Sequence, residues 1–234
     1  MKNQYFGDIN DYKKYALLRL IGKIGKIRTL ICWMLTPDDL KPDGHRIQYL
    51  NEPNVWRKFD PELYDFLRQQ VVVQKDRNIF SIENSELLHN CYFYSDVISD
   101  EIEARKKFSS KIPELSQGIK LLFFDPDNGL EVKSVPPGKR KSSKYLYLNE
   151  VNIFFSLGYS LMIYQHLPPK PRIPYIDELQ TRIKNATNAK SVFIYSTQFS
   201  LFLVIPQSDH KLIFENINES ITRIWGKHIV VDKY

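Results

Sequence analysis

The sequence predicts an α/β fold: a three-layer α/β/α sandwich with a mainly parallel sheet and a C-terminal antiparallel hairpin. Two observations predict it. Short apolar runs of strand length alternate with longer segments of helical periodicity, the pattern of a parallel sheet covered on both faces. Near the end, two such runs at 191–195 and 200–205 are joined by residues 196–199 alone, and so short a link favours an antiparallel pair.

The elements follow in order. Residues 11–23 carry Tyr12, Tyr15, Leu18 and Ile21 at helical spacing; Asp8 or Asn10 is placed to cap the helix, and Gly22 and Gly25 to end it. Residues 29–35 (TLICWML) form a buried strand that empties into TPDDLKPDG, a loop by its prolines and glycine. A helix is expected at 61–72 and a strand at 78–82. Polar, helix-like sequence covers 95–107, and 119–124 (IKLLFF) is a second strongly apolar strand. Residues 133–144 carry five basic side chains and no acidic one, a flexible basic loop. A helix at 145–156 ends at Gly158, a strand follows at 160–164, and 174–186 is helical. After the hairpin come a helix over 214–225 and a terminal strand at 228–231. No repeat or low-complexity segment interrupts the chain, and residues 1–234 read as a single α/β domain.

Composition excludes more than it identifies. An apolar fraction of 43% and a charged fraction of 26% rule out a disordered chain, a fibre and a coiled coil. No apolar run approaches the roughly 18 residues that span a bilayer, and the N-terminus lacks the apolar stretch of a signal peptide. A cytoplasmic location and no membrane partner are therefore expected. Cys32 and Cys91 read as buried free thiols, and no Cys/His group has zinc spacing, so no metal is expected. The net charge of +6 suits a polyanionic partner without demanding one.

In a parallel sheet the site lies at the carboxyl ends of the strands. Three polar clusters converge there: Thr36–Asp39, Asp125–Asn128 and Gln165-His166. Asp125-Pro-Asp-Asn-Gly delivers carboxylates to a strand tip, where they can orient water, stabilise a cation or accept a proton. It is also a favourable turn. Asn128 and Gln165 can hold a base edge, and His166 can protonate a leaving group. Asp38 and Asp39 supply further carboxylates or a helix cap. Trp33 supplies a stacking surface or a core residue. Lys139, Arg140, Lys141 and Lys144 suit phosphate contacts, with Lys170 and Arg172 nearby, or are solvated charge. Phe6-Gly7-Asp8 with Asp11, Tyr12 and Lys13 either touches the site or caps a helix. No glycine-rich loop follows the first strand, and no GxxxxGK[ST] occurs, so no nucleotide or S-adenosylmethionine cofactor is expected.

The strings QYFGDINDYKKYALLRL, CWMLTPDD, FFDPDNGLE, SSKYLYLNE and LMIYQHLP resemble a widespread family of small bacterial proteins, over residues 4–168. That resemblance implies a link to phage-defence DNA glycosylases that remove glucosylated hydroxymethylcytosine. FFDPDNG is similar to the strand-tip motif of uracil-excising glycosylases, although no His-Pro-Ser motif is present. The layout also resembles ribosomal-RNA adenine-N6 methyltransferases, with Asp127-Asn128 in place of their Pro-Tyr.

Three functions follow as expectations. The first is cofactor-independent hydrolysis of the N-glycosidic bond of a flipped, modified base in DNA, serving base excision or phage defence. In it Asp125 or Asp127 stabilises the sugar cation and activates water. The second is an S-adenosylmethionine-dependent adenine methyltransferase. The third is a non-catalytic nucleic-acid-binding module. The oligomeric state is left open.

Overall fold

A computed structural model describes residues 1–38 and 44–233. Helix α1 (Ile9–Leu20) starts where the Asp8 side chain accepts from the Asn10 amide at 2.9 Å. It runs on through a wider turn at Ile21–Gly25. Gly22 is required there, because a Cβ would strike the His89 carbonyl. Strand β1 (Thr29–Cys32) is fully buried and shorter than the expected 29–35. Met34 adopts a left-handed φ of 47° and breaks the ladder.

Helices α2 (Pro53–Trp56), α3 (Pro61–Arg68) and α4 (Phe80–Glu83) follow. The strand expected at 78–82 is the short helix α4. The Asn78 side chain accepts from the Phe80 amide at 3.0 Å and closes a turn where the apolar residues suggested extension. The strand in this region is instead β2 (Cys91–Tyr94), a half-exposed sheet edge. Helix α5 (Ile102–Leu115) leads to β3 (Leu121–Phe124), and a two-residue ladder pairs β4 (Gly129–Leu130) with β5 (Tyr145–Leu146). Helix α6 (Leu148–Ser156), β6 (Ser160–His166), α7 (Arg172–Thr187), β7 (Phe193–Ser196), β8 (Ser200–Ile205), α8 (Lys211–Trp225) and β9 (Val230–Lys233) complete the chain.

The sheet order is β2-β1-β3-β6-β8-β7-β9. The first four strands are parallel, and β8, β7 and β9 close the sheet in antiparallel pairs. The expected α/β sandwich with its closing hairpin is therefore the observed fold. Alternation along the strands builds two cores. Ile31, Phe123 and Met162 face α1, α3 and α8, while Leu30, Leu122 and Leu161 face α5, α6 and α7. Cys32 and Cys91 are free thiols, the second only half-buried. Among the described residues no helix is long and apolar enough to cross a membrane.

The basic segment 133–144 is pinned rather than flexible. The Asp100 carboxylate accepts from the amides of Lys141 (2.8 Å) and Ser143 (2.7 Å), and Ser142 is fully buried. Two backbone N–H groups donating to one carboxylate just before α5 hold the tip of the segment against that helix.

Candidate functional site

The carboxyl ends of β3 and β6 and the N-terminal half of α1 enclose a cleft of ≈ 570 Å³. Asp11, Lys14, Asp125, Asp127, Asn128, Tyr164 and His166 line it. Its floor is a buried three-residue charge cluster. The Lys14 ammonium lies 2.7 Å from Asp11 Oδ1 and 2.6 Å from Asp125 Oδ2, and each of the three residues is at most 3% exposed. Asp11 Oδ2 accepts from the Gly7 amide (3.2 Å) and the Tyr15 hydroxyl (3.3 Å). The rings of Tyr15, Trp33 and Tyr164 stand 5.6–5.7 Å from the ammonium and exclude water around it. Strand β3 places Asp125, whose amide donates to Cys32 O of the neighbouring strand at 3.0 Å. One helical turn places Lys14 over Asp11.

The carboxylates of the cleft are driven apart in acidity. Burial pushes Asp11 up to about 6, against the pull of Lys14 and with the repulsion of Asp125 and Asp8. Burial also opposes the charge of Asp127, but the Met1 amino group and Lys144 outweigh it and hold that carboxyl at about 2. Asp127 Oδ1 lies 2.8 Å from the Met1 amine. Its Oδ2 lies 3.1 Å from Lys144 Nζ and accepts from Thr36 Oγ1 at 2.9 Å. Divergent acidities among neighbouring carboxyl groups are the arrangement that acid–base chemistry uses.

The sequence-predicted residues divide. Asp125, Asp127, Asn128 and His166 come together on the cleft wall. Lys144 reaches the site, as the counter-ion of Asp127. Gln165 does not hold a base edge. It points to the opposite face, where its Oε1 accepts from the Leu130 amide (2.8 Å) and its Nε2 donates to Asn128 O (3.0 Å) and Tyr175 Oη (2.9 Å). Trp33 offers no stacking surface: it is fully buried, and its indole donates to Glu83 at 2.7 Å. Asp38 is exposed, accepts from the Gln4 amide at 3.2 Å and does not line the cleft. Asp39 lies outside the described residues. Lys139, Arg140 and Lys141 are exposed and do not line the cleft; their turn packs Gly138 against Ile102 of α5.

Lys14 and Tyr164 are the residues that sequence reasoning missed. Arg46 and His45, also on the wall, follow the segment 39–43 and carry no pattern that marks them.

Gln165 and Gly129 explain the shape of the turn. Gly129 has φ +111°, and a Cβ there would overlap the Gln165 carboxamide. Gly129→Ala is expected to destabilise the fold by about 2–4 kcal/mol, from backbone strain together with the overlap. Urea denaturation measures this. Gln165→Ala has its own cost, because it removes the hydrogen bonds to the Leu130 amide, Asn128 O and Tyr175, so the steric part is the coupling energy of the double-mutant cycle; a Gly129→Ala variant within about 0.5 kcal/mol of wild type would contradict this account of the turn.

No family model and no curated protein matches the chain. Among solved structures, the chain is similar to the crystal structure of protein LPL1258 from Legionella pneumophila, assigned to family model DUF519. The identity is 13%, with 97% of each chain covered and a TM-score of 0.48. A likeness of that strength carries nothing about chemistry.

Proposed function

We propose that the cleft takes up one nucleoside of a DNA strand and hydrolyses its N-glycosidic bond without a cofactor. The observation that carries this reading is the pair of buried carboxylates, Asp11 and Asp125, sharing the single cation Lys14 on the cleft floor. With Asp11 ionised the floor holds one net negative charge in a water-poor setting. Such a charge stabilises an oxocarbenium-like sugar as its bond to the base breaks. Water supplies the new bond to the anomeric carbon and gives its proton to a carboxylate. The base leaves with the bonding electron pair and takes a proton from the side of His166. The cleft volume falls in the range of small-ligand pockets, which suits a flipped nucleoside. Asn128 at the wall is the side chain suited to a base edge, now without Gln165. A base-modified phage DNA is the substrate that the sequence resemblance implies.

Purified protein incubated with plain and base-modified DNA, then treated with alkali and run on a denaturing gel, tests the reading. Expected are alkali-labile breaks and a free base by mass spectrometry, with Asp125→Asn slower by about 10²–10⁴-fold. No released base on any substrate, or full activity in that folded variant, would overturn it.

The strand layout favours a second reading, the adenine methyltransferase. Its Asp-Pro turn also follows a central parallel strand beside an antiparallel hairpin. The tip of β1, where that layout holds its cofactor, does not fit S-adenosylmethionine. It has no glycine, and the Met1 amine and carbonyl occupy Met34 O (3.1 Å) and the Thr36 amide (2.9 Å). A rise in melting temperature with S-adenosylmethionine would restore that reading.

A further inference from the structure

A second hollow of ≈ 570 Å³ adjoins the carboxylate cleft, and Arg46 and Gln48 line both. Its walls come from α1, the stretch from Arg46 to Trp56, the β7–β8 turn and the segment before β9. Four of its side chains are cations, Lys13, Arg46, Arg172 and Lys227, and Glu52 is the one carboxylate among its described lining residues.

Lys13 is the informative member. It is 3% exposed, it lines the hollow, and no carboxylate of the described residues forms a salt bridge with it. It lies 5.7 Å from the Trp56 ring centroid. Burial lowers it to about 8, with only the more distant charge of Asp8 in opposition. The Asp8 oxygens are already engaged by the amides of Asn10 and Arg46. A desolvated ammonium that no carboxylate of the described residues pairs with is costly, and the Trp56 ring and the charge of Asp8 offset that cost only in part. Its neighbours feel the same unbalanced field. His228 is held below its ordinary range by burial and then by Lys13, Lys227 and Lys58. Its ring packs on Trp56 and Phe59 at 4.8 and 5.0 Å.

The two arginines are fixed in place. The Arg46 guanidinium lies 4.0 Å from the Phe199 ring centroid, and Arg172 donates to Thr197 O (2.7 Å) and Gln198 O (3.1 Å). Planar, pre-oriented guanidinium groups and a desolvated ammonium suit phosphate oxygens. The aromatic rings beside them suit sugars and bases.

We propose that this hollow binds the phosphodiester backbone of a single DNA strand, with Lys13, Arg46, Arg172 and Lys227 as its phosphate ligands. Its position next to the carboxylate cleft, with Arg46 on the shared wall, has the backbone run through the hollow while one nucleoside enters the cleft. That last clause rests on the glycosidic reading; phosphate binding by the hollow does not. The phosphate contacts thus move from Lys139–Lys141, which line neither the cleft nor the hollow, to residues far from them in sequence, on α1 and in the segment before β9.

Fluorescence anisotropy with a fluorescein-labelled oligothymidylate over a salt series tests the site. The proteins are wild type, Lys13→Met/Lys227→Met, and Lys139→Ala/Arg140→Ala/Lys141→Ala, each checked for folding by thermal melt. Methionine keeps the buried stem of Lys13 and removes its charge. The hollow variant is expected to lose about tenfold or more in affinity, and its log–log salt slope to fall by about 1.4, roughly 0.7 for each of the two phosphate contacts removed on a single strand. The loop variant should stay within about twofold of wild type. Unchanged binding in the folded hollow variant, a loss confined to the loop variant, or no binding by wild type would each overturn the proposal. Salt-dependent binding that needs Lys13 and Lys227, in a protein that releases no base, would refute the glycosidic reading and leave the hollow's role standing.

Discussion

Lys14→Met is expected to destabilise the protein by about 3–5 kcal/mol at neutral pH, the usual result of removing one partner from a buried ion cluster. Burial works against the charge of Lys14, and Asp11 and Asp125 together outweigh it, so the ammonium is held above its ordinary range. Methionine preserves the length of the side chain and its packing against Tyr15, Trp33 and Tyr164, so the loss is electrostatic rather than a cavity. Two carboxylates then face each other without a cation, and the folded state must take up a proton. Asp11, already raised by burial, loses the opposing pull of Lys14 and rises further, so the deficit grows as pH rises through that raised value and shrinks in acid. Urea denaturation at about pH 5 and about pH 8 measures both. Adding Asp125→Asn should recover part of the loss, because it removes the repulsion that the first substitution exposes. A single variant within about 1 kcal/mol of wild type at the higher pH, or one more destabilised in acid, would remove Lys14 from the centre of this site. The expected loss is a large fraction of the 5–15 kcal/mol that typically separates folded from unfolded chains.

Much of the fold is legible because the central strands are buried on both faces. Runs such as LLFF and SLFLVI are apolar at nearly every position, the pattern of strands covered on both faces. The edge strand β2 was not legible. Its run CYFY is short and lacks aliphatic residues, Tyr92 is exposed and Cys91 and Phe93 are half-buried, so it shows neither the aliphatic run of a central strand nor a clean alternation. The strand tip at Asp125–Asn128 was legible from the same buried run, since a strand that ends in carboxylates must present them at its edge. Lys14 was not, for a physical reason: α1 is buried nearly all round, from Ile9 to Arg19, so helical periodicity cannot separate a site-facing polar residue from a solvated one. Trp33 and Gln165 failed in the opposite sense. Each sits beside a strand tip in sequence, but alternation sends Gln165 to the α7 face, and the left-handed turn at Met34 leaves Trp33 in the core.

Asp11 carries the second large effect. The rate of base release, as kcat/KM, is expected to rise about tenfold per pH unit below about pH 6 and to level off above it. The sign follows from the floor of the cleft. With Asp11 protonated, the Lys14–Asp125 ion pair leaves the floor without net charge. With Asp11 ionised, the floor gains the negative charge that stabilises a sugar cation, and the carboxylate becomes able to accept a proton from water. Both roles need the ionised form, and burial is what moves that titration from the ordinary aspartate range up to about 6. The same shift has a consequence for stability. The folded state binds this proton more tightly than the unfolded chain, so the contribution of Asp11 to stability falls as pH rises through the window from about 4 to about 6. Asp11→Asn keeps an acceptor for the Gly7 amide and the Tyr15 hydroxyl but cannot ionise. It should therefore flatten the acid limb and lower the plateau by about 10²-fold or more, while a folded structure is retained in near-ultraviolet circular dichroism. A wild-type profile that is level between about pH 5 and pH 8, or an acid limb that survives in Asp11→Asn, would assign the titrating group elsewhere on the cleft wall and reduce Asp11 to a structural partner of Lys14.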